Sequence, residues 1–322
     1  MLRVVFAGSF AARFEEPVRA HLKIPCELIV DDREETVTQL SEADVIVTLA
    51  FTREMGKAAR RLKLVQVPGI GLDRIDRDAI PRGAWLAHIA GHEVGIAEYV
   101  MGAVMALTRD FYRLDAALRR GEWRSPWAAA PPPPPWPELA GKTIGILGYG
   151  RIGQAVARRA QAFDMAVWAM RRDTTQPAPY SPAFLGGPGD LDTILRQSDY
   201  LVITLPLTAA TRGLLGDREL RLMKPSAFLI NVARAEIIDE DALCRVLAEK
   251  TIAGAALDVW YRYPSGAGPA LPAHHPFHEL PNVLMTPHVS GWTDGMLEVR
   301  AKLIAENIDR ISQGPPPLNL VR

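Results

Sequence analysis

Thr143-Ile144-Gly145-Ile146-Leu147-Gly148-Tyr149-Gly150-Arg151-Ile152-Gly153 is the stretch that decides how the chain is read. An apolar run stops at glycines spaced G-x-G-x-x-G, and an amphipathic segment opens at Gln154. The order is therefore a buried strand, a tight turn and a helix. Gly148 permits the sharp turn, Gly150 lets a ligand approach the backbone, and Gly153 lets the helix pack closely on the strand. The helix start offers unpaired N–H groups to an anion. Between a strand and a helix, the motif reads as a cradle for a dinucleotide pyrophosphate, with Gly148, Gly150, Arg151, Ile152 and Gly153 against it.

Downstream, apolar runs at 166–170, 200–204, 227–231, 252–257 and 283–286 alternate with helix-like stretches. With residues 143–147 they make six strands, as a complete doubly wound dinucleotide domain requires. Upstream, runs at 4–7, 26–30, 44–49 and 64–67 alternate with amphipathic segments such as 53–62, so roughly the first 95 residues form another parallel α/β unit. From Gly95 to Arg120 a continuous apolar periodicity predicts one long helix ending at Gly121. Residues 131–135 are all proline and predict an extended loop inside the second unit. Residues 294–313 predict a last amphipathic helix. The fold class is α/β, with two units built on parallel sheets.

Composition narrows the function. The chain has 322 residues, enough for two domains, with 48% hydrophobic and 23% charged residues, a globular profile. Lys plus Arg and Asp plus Glu are both 37, so no net field favours nucleic acid or an anionic membrane surface. Cys26 and Cys244 have no metal-type spacing and read as reduced thiols. The opening LRVVFAGSF reads as a strand rather than a signal peptide, and no apolar run reaches membrane-spanning length. A cytoplasmic protein is expected.

The strand at 166–170 ends in Arg171-Arg172. An acidic residue about 20 positions beyond the glycines would hold the ribose hydroxyls of NAD. Guanidinium groups there bind a 2′-phosphate instead, so NADP is expected in preference to NAD. Three later segments carry chemistry. Asn231-Val232-Ala233-Arg234 follows one apolar strand, Asp258 ends another, and Thr286-Pro287-His288 ends the sixth. Strand C-termini in such a sheet line the ligand crevice. Arg234 can clamp a substrate carboxylate and polarise the neighbouring carbonyl or hydroxyl, and His288 can carry the proton that accompanies hydride transfer.

The order of these motifs resembles the D-isomer-specific 2-hydroxyacid dehydrogenase family. The resemblance rests on Pro68-Gly69-Ile70-Gly71-Leu72-Asp73, residues 148–153, Asp199, Pro206-Leu207-Thr208 with Thr211, and residues 231–234, 254–259 and 286–288. It implies a discontinuous substrate-binding domain (1–94 plus 289–322) around a dinucleotide-binding domain (95–288), with the active site in the interdomain cleft. It implies a small carboxylate substrate and a homodimer made through the dinucleotide-binding domain. Residue by residue, it implies Arg234 for the substrate and His288 as acid/base. The backbone of Gly69, Ile70 and Gly71 takes the substrate carboxylate. Asp258, Leu205, Pro206, Thr211, Val232 and Ala233 lie on the cofactor side.

This chain departs from the family at one decisive place. The family pattern D-V-x-x-x-E-P supplies a glutamate that pairs with the histidine, whereas here Tyr263 occupies that position in the run from Asp258 to Pro264. Tyrosine can orient the imidazole but brings no negative charge at neutral pH. Arg234, His288 and Tyr263 thus form the expected catalytic set. The expected reaction is hydride exchange between NAD(P) and a small 2-hydroxy or 2-keto acid. The alternatives are hydride-only oxidation of a small anion such as formate, and a non-catalytic dinucleotide sensor. Ala235 replaces a frequent family glycine. His92, at the domain junction, and Trp292 are further candidates for substrate contact. His274, His275 and His278 lack a fourth ligand at fixed spacing, and no metal is expected.

Overall fold

The structure, a computed structural model, describes residues 1–129, 131–264, 266 and 268–321. The chain forms two compact units, Met1–His92 with Trp292–Arg322, and Glu93–Gly291.

Among the described residues the first unit has five strands: β1 (Leu2–Ala7), β2 (Cys26–Asp31), β3 (Val45–Val47), β4 (Leu64–Val67) and β5 (Trp85–His88). They form a parallel sheet in the order β2-β1-β3-β4-β5. Strands β3 and β4 are buried at every residue, as a parallel sheet covered on both faces requires. One face packs Val4, Phe6, Phe14 and Val18 against Ile304 and Ile308 of helix Asp294–Gln313, and the other gathers Val5, Ile46, Phe51 and Met55. Thr293 caps that helix by accepting from the Met296 N–H, and Gly314 closes it at φ 99°. Strand β5 was not expected from the sequence: its short apolar run opens on an exposed Trp85 and closes on His88, unlike the continuously buried β3 and β4.

The second unit has β6 (Thr143–Leu147), β7 (Ala166–Met170), β8 (Phe184–Gly186), β9 (Tyr200–Ile203), β10 (Phe228–Asn231), β11 (Gly254–Leu257) and β12 (Val283–Met285). Their order is β12-β11-β10-β9-β6-β7-β8, all parallel. This makes seven strands among the described residues, not the six expected. Strand β8 spans three residues and is held by Phe184 stacking on Trp168 at 4.7 Å, a contact invisible to periodicity. The order reverses between β6 and β9, the switch point beside which ligands bind in such sheets.

The single helix expected over residues 95–120 is two helices, Glu93–Arg109 and Phe111–Arg119. They break at Asp110, which is left-handed at φ 55° and whose carboxylate accepts from Arg113 Nε at 2.7 Å. Aspartate tolerates that conformation better than most residues, so the apolar period runs on through a real break. The first helix has a broadly buried face, whereas the second buries only Ala117. The proline run is free of regular secondary structure, as expected.

Candidate active site

The three glycines after β6 are glycine for two different reasons. Gly148 has φ 108°, and a Cβ there would lie 2.8 Å from the Thr204 carbonyl carbon. A Cβ at Gly153 would lie 2.3 Å from the Gly148 oxygen. Both positions are closed by packing. Gly150, which caps helix Arg151–Gln161 with φ −87°, would place a Cβ with nothing within 4 Å. Its missing side chain serves no internal contact and leaves backbone open at a helix N-terminus, where Arg151 and Ile152 begin the first turn. This is the fit a dinucleotide pyrophosphate requires. Thr204 Oγ1 donates to the Gly148 oxygen at 2.7 Å and ties the end of β9 to the turn. After Leu205, Thr211 Oγ1 donates to the Pro206 carbonyl at 2.7 Å and closes the next loop.

At the end of β7, Arg171 donates to the carbonyls of Pro177, at 3.2 Å, and Gln176. The Asp173 carboxylate accepts from Thr175 and Gln176, so Arg171 is tied into a self-bonded loop, while Arg172 is exposed.

The ends of β10, β11 and β12 carry the reactive side chains. Buried Asn231 donates from Nδ2 to the Arg234 oxygen at 3.0 Å and accepts from the Ala233 N–H at 3.0 Å. One amide thus fixes the turn on which Arg234 stands, with Val232 and Ala233 buried beside it. Asp258 is fully buried. Its carboxylate accepts from Thr286 Oγ1 at 2.6 Å and from the N–H groups of Val289 and Ser290, each at 2.9 Å. Tyr99 hydroxyl extends the chain to Thr286 Oγ1 at 2.6 Å, and burial pushes that phenol up to about 12, which keeps it a donor. Trp260 Nε1 donates to the Thr286 carbonyl at 2.8 Å. These bonds clamp the turn bearing His288, which has a left-handed φ of 56°. Such a conformation costs about 1–3 kcal/mol and persists only when its surroundings enforce it.

Tyr263 Oη lies 2.7 Å from His288 Nδ1. The phenol is raised above its ordinary range, mainly by desolvation, with Arg234 acting in the opposite sense. Arg234, Tyr263 and His288 therefore share one electrostatic environment.

In the first unit, the Gly69 carbonyl accepts from the Ile89 N–H at 3.0 Å, and Ile70 and Gly71 continue the same partly exposed loop. His92 Nδ1 lies 2.6 Å from Arg300 Nη2, a donor on helix Asp294–Gln313. Trp292 packs on Phe10 at 5.6 Å, with the Arg13 guanidinium 5.3 Å over its ring. His274 and His275 meet Glu240 and Asp241 at 2.8 and 2.6 Å. Among the described residues, no cluster of His, Cys, Asp and Glu could hold a metal, and no helix is long and apolar enough to cross a membrane.

Sequence reasoning missed the roles of Asn231, Tyr99, Thr286, Trp260 and Arg300. Asn231 and Thr286 stood inside quoted motifs, so their polar character after an apolar strand was the available signal.

The model of the D-isomer specific 2-hydroxyacid dehydrogenase NAD binding domain matches residues 101–290. A glyoxylate reductase of Thermofilum pendens is 35% identical over 325 residues, covering 95% of this chain and 91% of its own. Among solved structures, a D-isomer specific 2-hydroxyacid dehydrogenase of Xanthobacter autotrophicus in complex with NADPH and MES superposes with a TM-score of 0.80 at 27% identity, covering 100% of this chain and 98% of its own. An NADPH-dependent glyoxylate/hydroxypyruvate reductase of Sinorhizobium meliloti superposes at 0.81 with 25% identity and the same coverage. This chain belongs to the D-isomer-specific 2-hydroxyacid dehydrogenase family and is an NAD(P)-dependent oxidoreductase of 2-hydroxy and 2-keto acids.

Proposed function

We propose that the chain is an NADPH-dependent reductase of small 2-keto acids, of glyoxylate or hydroxypyruvate size. The observation that carries the reading is the grouping of Arg234, Tyr263 and His288 in the segments that follow β10, β11 and β12 of the sheet that holds the glycine cradle. The reduced nicotinamide, when bound, supplies the hydride. Gly148, Gly150, Arg151, Ile152 and Gly153 hold the pyrophosphate, with Leu205, Pro206, Thr211, Val232 and Ala233 along the cofactor. Arg234 binds the substrate carboxylate and polarises its carbonyl. His288 serves the carbonyl oxygen with a proton. Asp258 acts by holding the turn that presents His288. Gly69, Ile70 and Gly71 are assigned to the substrate carboxylate, and His92 and Trp292 to the substrate's remaining atoms. The test is the loss of reduced-nicotinamide absorbance on mixing enzyme and NADPH with glyoxylate, hydroxypyruvate, pyruvate and bulkier 2-keto acids. Turnover with none of them overturns the reading.

The preference for NADPH rests on Arg171 and Arg172 at the end of β7, and relatives solved with NADPH support it. Replacing both arginines by alanine should lower the NADPH/NADH ratio of kcat/KM at least tenfold, about 1.4 kcal/mol of discrimination. An unchanged ratio sinks the assignment. A symmetric dimer through the second unit is supported by exposed Phe111, Leu118, Trp123 and Trp127, the last 92% exposed. Light scattering that finds a monomer at micromolar concentration removes this part. Cys26 and Cys244 are free thiols, which supports a reducing, cytoplasmic location.

A further inference from the structure

Resting on the reductase reading, we infer that Tyr263 sets His288 in the tautomer with hydrogen on Nε2 and is the net source of the proton delivered to the substrate oxygen. Two contacts lead there. The phenol oxygen lies 2.7 Å from His288 Nδ1. The same oxygen accepts from the Trp260 N–H at 3.5 Å, and a backbone N–H can only donate. With the Trp260 N–H on one lone pair, the phenol hydrogen is free to point at Nδ1, and that is the arrangement inferred. A ring nitrogen that accepts there leaves the imidazole hydrogen on Nε2, because the bond made by one nitrogen determines the state of the other. A glutamate in this position would do the opposite: it accepts from Nδ1–H and favours imidazolium.

The proton path balances without an imidazolium. The substrate carbonyl carbon gains a hydride and its two electrons from the reduced nicotinamide, which is oxidised. The carbonyl oxygen takes the hydrogen of His288 Nε2, forming an O–H bond as the N–H bond breaks. His288 Nδ1 takes the Tyr263 hydrogen, so imidazole ends neutral and the phenol ends as phenolate. Solvent then restores the phenol. The transfer runs downhill, since an alkoxide's parent alcohol is about as weak an acid as water, about 15.7, whereas a phenol sits near about 10. The groups that bear on the phenol are His288, Arg234, Asp258 and Glu236. Desolvation, with Asp258 and Glu236 acting in the same sense, raises the phenol of this partly exposed ring against Arg234 and the Trp260 N–H, so it stays protonated through neutral pH. Tyr263 is thus a positioning residue that acts through His288.

The consequence separates this chain from glutamate-bearing relatives. Reduction should hold steady from about pH 6 to 9, across the ordinary histidine range of about 6.5, and fall only as the phenol ionises. Tyr263→Phe keeps the ring and removes the hydrogen. It should lower kcat about 10- to 100-fold with KM nearly unchanged, and expose a limb near neutrality. Tyr263→Glu should bring in a histidine-type limb and restore much of the rate below it. Histidine ring-nitrogen NMR of the cofactor-free protein gives a readout independent of turnover. The wild type should show His288 with hydrogen on Nε2, and the Phe variant a mixture. Hydrogen on Nδ1 in the wild type, or a Tyr263→Phe enzyme with unchanged kcat and pH profile, overturns the proposal. If no 2-keto acid is turned over, the reductase reading fails, while the NMR result still decides the tautomer.

Discussion

The two sheets begin in the same way and diverge within three residues. In each, the first strand ends in a glycine of positive φ, 89° at Gly8 and 108° at Gly148. In each, that glycine's N–H bonds the carbonyl at the end of the second strand, Asp31 at 2.7 Å and Met170 at 3.0 Å. Past that point, the second unit continues with Gly150, open space and a helix of eleven residues. The first unit continues directly into a helix of only four residues, Ser9–Ala12. Over its turn sits Glu34, paired bidentately with Arg74 at 2.8 and 2.9 Å. Its Cα, Cβ and Cγ lie 3.2–3.3 Å from where a Gly8 Cβ would stand, so this turn is covered by chain rather than left open. The shared turn belongs to the architecture. What the second unit adds is an open glycine and a longer helix, the two features on which the proposed phosphate site rests.

Several substitutions would break or sharpen that contrast. The largest effect is expected where only the second unit has a counterpart: His288→Ala should lower kcat by about 10²- to 10⁴-fold, measured in single-turnover reduction, with cofactor affinity unchanged. Next come the glycines. Gly150→Ala should leave the melting temperature unaltered, since its Cβ meets nothing, yet weaken NADPH binding at least tenfold, about 1.4 kcal/mol, in a fluorescence titration. Full affinity in that variant would mean that the open space is not the phosphate site. Gly8→Ala should do the reverse, costing about 1 kcal/mol or more of stability through its positive φ while leaving the NADPH Kd alone. Asp110→Ala should cost about 1 kcal/mol in denaturant unfolding, because alanine resists the left-handed break between the helices. Smallest is a pH effect in the first unit. Hydrogen bonds from Arg33, with help from Thr36, lower the Asp31 carboxyl to about 2. Its contribution to stability is complete above the ordinary carboxylate value of about 3.9 and is lost as pH falls toward 2. Arg33→Ala should flatten stability against pH in that window and lower stability at pH 7 by the same amount, discounted for the exposure of Arg33.

The glycine cradle was legible because packing and ligand access both demand one residue type at fixed spacing beside a strand. Arg234, His288 and Tyr263 were legible as types at strand ends. The bond between Tyr263 and His288 was legible only through the family pattern, since it joins residues 25 apart through a loop whose path no local rule supplies. The same holds for Tyr99 and Thr286, 187 residues apart. Strands β5 and β8 are too short to show a period. The break at Asp110 hid inside an unbroken apolar pattern because aspartate is not a conventional helix stop.

Helix Asp294–Gln313 completes the core of a sheet whose strands all lie before residue 89. Its buried Asn307 donates to Gln66 Oε1 at 2.7 Å, on β4 of that sheet. Residues 93–291 lie between those strands and that helix in the sequence yet supply none of the residues of the two clusters that make up this core. The first unit is thus a split fold of two complementary fragments, and the segment between them acts as a tether that sets their effective concentration for one another.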